Sequence, residues 1–250
     1  MTVLNESAIN GLDKFIGLLE RHCAVPEDLK SETVRHLKGE GQKTLELENR
    51  WYASLAEGAP DYSVYGEPYY FADVWACWAL YSRKYLLEIQ RRIAPNIKRA
   101  EAVLDLGCGF GYTTRALAEI FPDAVVTGTN IENTEQFRVA SALGKDYGFQ
   151  ISETYAGTDA DLLFASEYFE HFLEPLTHLI EILKETKPKY ILFANTFSSP
   201  AIGHFTEYRH DGRAFTGKQI SRMFAQTLKF YGFAPQKTGC WNNKPAYWKR

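Results

Sequence analysis

An excess of charge of either sign is missing from this chain. Its 28 lysines and arginines face 31 acidic residues, leaving a net charge of −3, so no global basic field draws it to nucleic acid. Cysteine is scarce: Cys23, Cys77, Cys108 and Cys240 lie far apart without a C-x-x-C pair. That spacing argues against a zinc ribbon and offers no disulfide framework, so reduced thiols are expected. No apolar run reaches the roughly 20 residues a membrane-spanning helix needs. The N-terminal Met1-Thr-Val-Leu-Asn-Glu lacks a basic-then-apolar signal pattern. A cytoplasmic chain without a membrane partner is therefore expected. Internal repeats and low-complexity tracts are also absent.

What is present suits a globular fold. With 45% hydrophobic residues in 250, the chain can bury the core of one large domain, or of a smaller domain with an accessory part. Aromatics cluster between residues 51 and 85, where they serve a core or a pocket for an organic substrate. Residues 1–98 read as mostly helical. Leu12, Phe15, Ile16 and Leu19 recur at helical spacing, helices are expected near 29–37 and 43–55, and a long apolar helix over 71–93. From residue 99 strands and helices alternate, the signature of a parallel α/β sheet. Strands are expected at 102–106, 124–128, 150–154, 161–165 and 190–195, with a closing pair at 233–238 and 246–249. Helices are expected at 115–120, 133–143, 176–185 and 216–231. The implied division is a helical region, 1–98, and an α/β unit, 99–250.

The stretch Val103-Leu-Asp-Leu-Gly-Cys-Gly-Phe-Gly-Tyr-Thr113 is the most informative. Val103, Leu104 and Leu106 suit a buried parallel strand. Gly107, Gly109 and Gly111 let the backbone turn tightly and let a ligand approach it. Thr113 and Thr114 are the expected caps of the next helix, whose N-terminus favours an anionic group. A dinucleotide fingerprint requires glycine where Tyr112 stands, and here the third glycine comes one residue early, which disfavours NAD.

The string Asp105-x-Gly107-x-Gly109-x-Gly111 resembles motif I of class I S-adenosylmethionine (SAM) methyltransferases, and the element order over about 97–250 resembles their whole core. The resemblance implies a Rossmann-like, seven-stranded α/β sheet, SAM as cofactor and S-adenosylhomocysteine as product. It implies that the turn from Gly107 through Cys108 to Tyr112 and Thr113 lies against the methionine part of SAM, and that Asp105 helps hold its amino group. The acid that binds ribose in the family falls at Asn130, beside Ile131, and Glu132 is the nearest substitute. A helix-capping loop is the alternative reading of these residues.

The segment Ser166-Glu-Tyr-Phe-Glu-His171 resembles the family's post-strand motif. Glu167 is then expected near the sulfonium, and Glu167 or His171 can take a proton from the nucleophile. The competing role is packing the loop against the cofactor. After strand five, residues 195–212 read as a polar loop or lid. His204, Glu207, His210 and Asp211 are metal-ligating types there, but spacing alone does not make them converge, and no metal site is expected. Arg209 and Arg213 can clamp an anionic group. Tyr65 and Tyr69, in a Gly/Pro-punctuated lid segment, join His204 and Arg209 as candidate substrate contacts.

Methylation of a small organic molecule is the leading expectation. A nucleic-acid or protein methyltransferase, or a non-catalytic SAM-binding subunit, stands as the alternative. Against nucleic acid, the chain lacks the D/N-P-P-Y/F and Pro-Cys signatures and its net charge is negative.

Overall fold

The computed structural model describes residues 2–240 and 244–250. A seven-stranded sheet forms its centre, in the order β3-β2-β1-β4-β5-β9-β8. The strands are β1 (Ala102–Leu106), β2 (Val125–Thr129), β3 (Gln150–Ser152), β4 (Leu162–Ser166), β5 (Tyr190–Ala194), β8 (Ala234–Gln236) and β9 (Ala246–Lys249). Strands β1 to β5 run parallel; β9 runs antiparallel to β5 and to β8. The central strands are nearly continuous apolar runs, Leu-Leu-Phe-Ala in β4 and Tyr-Ile-Leu-Phe-Ala in β5, because helices cover both of their faces. This is the Rossmann-like order expected from the sequence.

Helices α6 (Tyr112–Ile120), α7 (Glu135–Tyr147), α8 (Pro175–Thr186) and α9 (Gly217–Phe230) connect the strands. Their starts differ from the sequence expectation for a local reason at α6. Gly111, at φ 83°, is the N-cap, so the helix begins at Tyr112 rather than near Arg115. Thr113 and Thr114 lie inside its first turn and turn their hydroxyls down to Asp105 instead of capping. Thr134 caps α7 by accepting from the Phe137 amide, and Thr216 and Gln219 form a capping box on α9.

The first hundred residues fold as α1 (Thr2–His22), α2 (Leu29–Leu37), α3 (Gln42–Ala56), α4 (Tyr70–Cys77) and α5 (Arg83–Glu88). The expected helix over 71–93 is helical throughout but not uniform: two wider π turns, at Trp78–Ser82 and Ile89–Ile93, follow α4 and α5. These helices share the sheet's cores. Leu12, Phe15, Leu19, Phe71 and Trp75 pack with Val103, Phe110 and Phe164, while Trp51, Val64 and Tyr70 pack with Leu104, Phe169 and Phe193. The polar insert after β5, expected as a loop, contains a separate hairpin, β6 (Glu207–His210) and β7 (Arg213–Thr216).

Candidate active site

Strand β1 ends by delivering Asp105 and the glycine turn to the carboxyl edge of the sheet, where ligands bind in open α/β folds. Asp105 is only 1% exposed, and its Oδ2 accepts from Thr113 Oγ1 at 2.6 Å and Thr114 Oγ1 at 2.7 Å. Burial pushes this carboxyl up to about 7, against the pull of the two hydroxyls. It lies behind the turn and is not part of the cavity lining; it fastens the start of α6 to the strand. Gly107 sits at φ 66°, and a Cβ there would lie 2.3 Å from Tyr168 Cδ2, so the turn tolerates no side chain at this point. Thr129 at the end of β2 holds the turn from the other side, its hydroxyl accepting from the Gly107 amide and its carbonyl from the Cys108 amide. No side chain caps α6, so its first amides are left for a ligand.

A single cavity of about 1550 Å³ opens in front of this turn. At one end it is lined by Gly107 to Phe110, Tyr112, Thr113, Asn130, Ile131 and Gln136, with Glu153, Thr154 and Tyr155 from the loop after β3. Asn130 contributes as a brace: its Nδ2 donates to the Gly109 carbonyl at 2.6 Å, and its Oδ1 accepts from the Ile131 amide. Ile131 is 64% exposed on the cavity rim. Glu132 lies outside the lining and is exposed, sharing a hydrogen bond with Glu153 that raises its pKa. Gly111 also lies outside the lining. These placements fit SAM: a side-chain-free turn, an uncapped helix start and a polar floor from β2 and β3.

The other end of the cavity is built from β4, the loop after β5 and the N-terminal helices. Glu167 follows β4 at φ 49°, a left-handed conformation that a glutamate occupies only when its surroundings fix it. Its amide donates to the Ala194 carbonyl. Burial, then the facing Glu170 carboxylate, pushes Glu167 up to about 9, with Lys244 opposing. Glu170 is fully buried and anchored, accepting from Asn195 Nδ2 and the Thr196 amide, each at 2.7 Å. His171 Nδ1 meets the Tyr65 hydroxyl at 3.0 Å, and burial, then His204, pushes the imidazole down to about 4, so it is neutral at ordinary pH. The Tyr65 hydroxyl also donates to the Gly203 carbonyl.

The sequence candidates divide here. Tyr65, Glu167, His171 and His204 meet in this space. Tyr69 instead donates to Asp28 Oδ1 at 2.7 Å, and Arg209 is exposed on β6, its amide bound to the Leu173 carbonyl; neither lines the cavity. His204 is buried while Glu207 and Asp211 are exposed, so the ligating types of that insert do not converge. Asp73, Cys77, Tyr81, Ser82 and Tyr85 line the cavity from α4, α5 and the π turn between them, and Lys244 from the far end of the chain. Their apolar surroundings in the sequence read as ordinary helix core; the π turn, which brings Tyr81 and Ser82 round, leaves no pattern in the residues.

Comparison with known proteins agrees with this geometry. The methyltransferase domain family matches residues 78–236. Two malonyl-[acyl-carrier protein] O-methyltransferases are similar in sequence. That of Halalkalibacterium halodurans is 26% identical over 145 residues, 54% of this chain and 51% of that one. That of Priestia megaterium is 27% identical over 122 residues, 45% of this chain and 43% of that one. The chain thus spans about half the length of these curated relatives. Among solved structures, the apo form of the SAM-dependent methyltransferase SibL aligns over 89% of this chain and 74% of that chain, with a TM-score of 0.55 at 16% identity, a likeness of fold. With the family matched across well over half its length, on a seven-stranded sheet of the same order, this chain belongs to the class I SAM-dependent methyltransferases.

Proposed function

We propose that this chain transfers the methyl group of SAM to a small, uncharged organic molecule enclosed between the sheet edge and the N-terminal helices. The observation that carries this reading is the cavity. At about 1550 Å³ it exceeds the roughly 300–1,000 Å³ typical of one ligand, which leaves room for cofactor and acceptor in one space. Residues 1–98 act in this reading as the cap of the acceptor, and the α/β unit as the holder of SAM.

The lining also bears on the class of acceptor. Lys244 is the only lysine or arginine among the described lining residues, against Asp73, Glu153 and Glu167. Its ammonium donates to Thr196 Oγ1 at 2.6 Å. Among the described lining residues there is no arginine fork for a free carboxylate such as a malonyl group carries. An uncharged acceptor costs least to desolvate among these carboxyls.

SAM supplies a methyl group on a sulfonium, whose C–S electron pair returns to sulfur as the acceptor's lone pair takes the methyl carbon. The protein's share is alignment and exclusion of water. The turn at Gly107, with Asp105 locking α6 through Thr113 and Thr114, fixes one end. Tyr65, beside His171, and Tyr85, beside Glu167, wall the other. Glu167, more basic than an ordinary carboxylate once ionised, accepts the proton the acceptor releases, and neutral His171 holds Tyr65 in place.

The test is a screen with methyl-labelled SAM against uncharged hydroxylated and amino compounds, with a malonyl thioester as the anionic arm. Labelled product from the uncharged set supports the reading. Transfer to the malonyl thioester alone contradicts it.

A further inference from the structure

Glu167, Glu170 and His204 come from three places in the chain and present one ligand atom each within 4.8 Å of one another. We propose that they bind a divalent transition-metal cation, such as Mn2+, at the acceptor end of the cavity. Glu167 arrives after β4, Glu170 from the single 3-10 turn Phe169–His171, and His204 from the insert between β5 and β6.

The state of His204 is the second observation. It is 6% exposed, and its Nδ1 lies 2.9 Å from the Ser199 carbonyl. A carbonyl only accepts, so Nδ1 carries the proton and Nε2 is left with its lone pair. Among the described residues no group takes that lone pair. Histidines that ligate metals are held in this way, one ring nitrogen donating to a carbonyl while the other faces the ion. Trp51 Nε1 fixes the same residue by donating to its carbonyl at 2.7 Å. Glu170 is likewise held from behind by Asn195 and the Thr196 amide, which leaves each carboxylate oxygen a further lone pair for a cation.

The donor set selects the ion class. Two carboxylates favour a hard cation and an imidazole a softer one, so Mn2+ or Zn2+ suits the mixture better than Ca2+. Three protein ligands leave coordination positions open toward the cavity. There the cation would hold a hydroxyl oxygen of the acceptor in place, in which case Glu167 is its ligand and not the proton acceptor. That last role rests on the methyl-transfer reading; the binding itself does not. It deepens the acceptor class to a hydroxyl-bearing molecule.

The experiment is titration of chelator-stripped full-length protein with Mn2+, followed by loss of the free-ion electron paramagnetic resonance signal. Glu167→Gln and His204→Asn are compared with the wild type, together with Glu207→Gln on the exposed hairpin, and thermal melts check each fold. The asparagine keeps a donor for the Ser199 carbonyl while removing Nε2. Wild type and Glu207→Gln deplete the signal at micromolar Mn2+, and the two site variants bind at least about tenfold more weakly. If His204→Asn does not fold, Glu167→Gln decides. No depletion at millimolar Mn2+, or equal depletion in folded site variants, overturns the site. Calorimetry with S-adenosylhomocysteine on the same stripped protein separates the two readings. Binding of the nucleoside without Mn2+ binding rejects the metal site alone, and binding of neither rejects both.

Discussion

Asp105 sits in a space that favours its proton. Its folded-state value of about 7 lies well above that of an exposed aspartate, because burial outweighs the hydroxyls of Thr113 and Thr114. The folded chain therefore keeps a proton that the unfolded chain releases near pH 4. The stabilisation is complete below that pH and is lost as pH rises through 7. Asp105→Asn cannot titrate, so its stability falls less with rising pH. Urea denaturation at pH 5 and pH 8 measures the difference, expected at about 2–3 kcal/mol between the two chains' pH responses. Parallel responses would contradict the burial argument. The sequence disclosed Asp105 and the glycine turn because motif spacing is local. It did not disclose that Asp105 lies behind the turn or that Asn130 braces Gly109, since both depend on how β1, β2 and α6 stack.

Helix α1 belongs to the catalytic half as much as to the first hundred residues. Phe15 is fully buried, stacks on Trp75 with ring centroids 4.8 Å apart, meets Phe110 of the glycine turn edge-on, and lines the cavity. Phe15→Ala removes both ring contacts and is expected to cost about 3–5 kcal/mol. Because Phe110 then loses its backing, affinity for S-adenosylhomocysteine falls with stability, which denaturation and calorimetry on the same protein would show. A loss of stability with unchanged affinity would mean that α1 supports the fold without shaping the site. Elements with strong periodicity were readable: Leu12, Phe15 and Leu19 in α1, and the apolar runs of β1, β4 and β5. The hairpin β6–β7 was not, because its four-residue strands are polar. Its one local signal is Asp211-Gly212, at φ 48° and 71°, the pair that a two-residue hairpin turn prefers. The π turns after α4 and α5 have no such signal.

Across the whole molecule, the site draws on residues from Phe15 to Lys244, and the sheet is what brings them together. Five parallel strands end at one edge, the N-terminal helices close over it, and the insert after β5 folds His204 back beneath Trp51. The helical region had no sequence pattern that named its role. It shares both cores with the sheet and supplies Asp73, Cys77 and Tyr85 to the cavity, which supports the role of cap proposed for it. Among the described residues no helix is long and apolar enough to cross a membrane.

The central claim is that the turn at Gly107 to Thr113 holds SAM. The most direct test is isothermal titration of the purified chain with S-adenosylhomocysteine, SAM and NAD, alongside Gly107→Ala, whose methyl group would enter Tyr168 at a backbone angle that disfavours it. The account predicts micromolar binding of the two sulfur compounds, no binding of NAD, and loss of binding in folded Gly107→Ala. Binding of NAD, or undiminished binding of S-adenosylhomocysteine by folded Gly107→Ala, would contradict it.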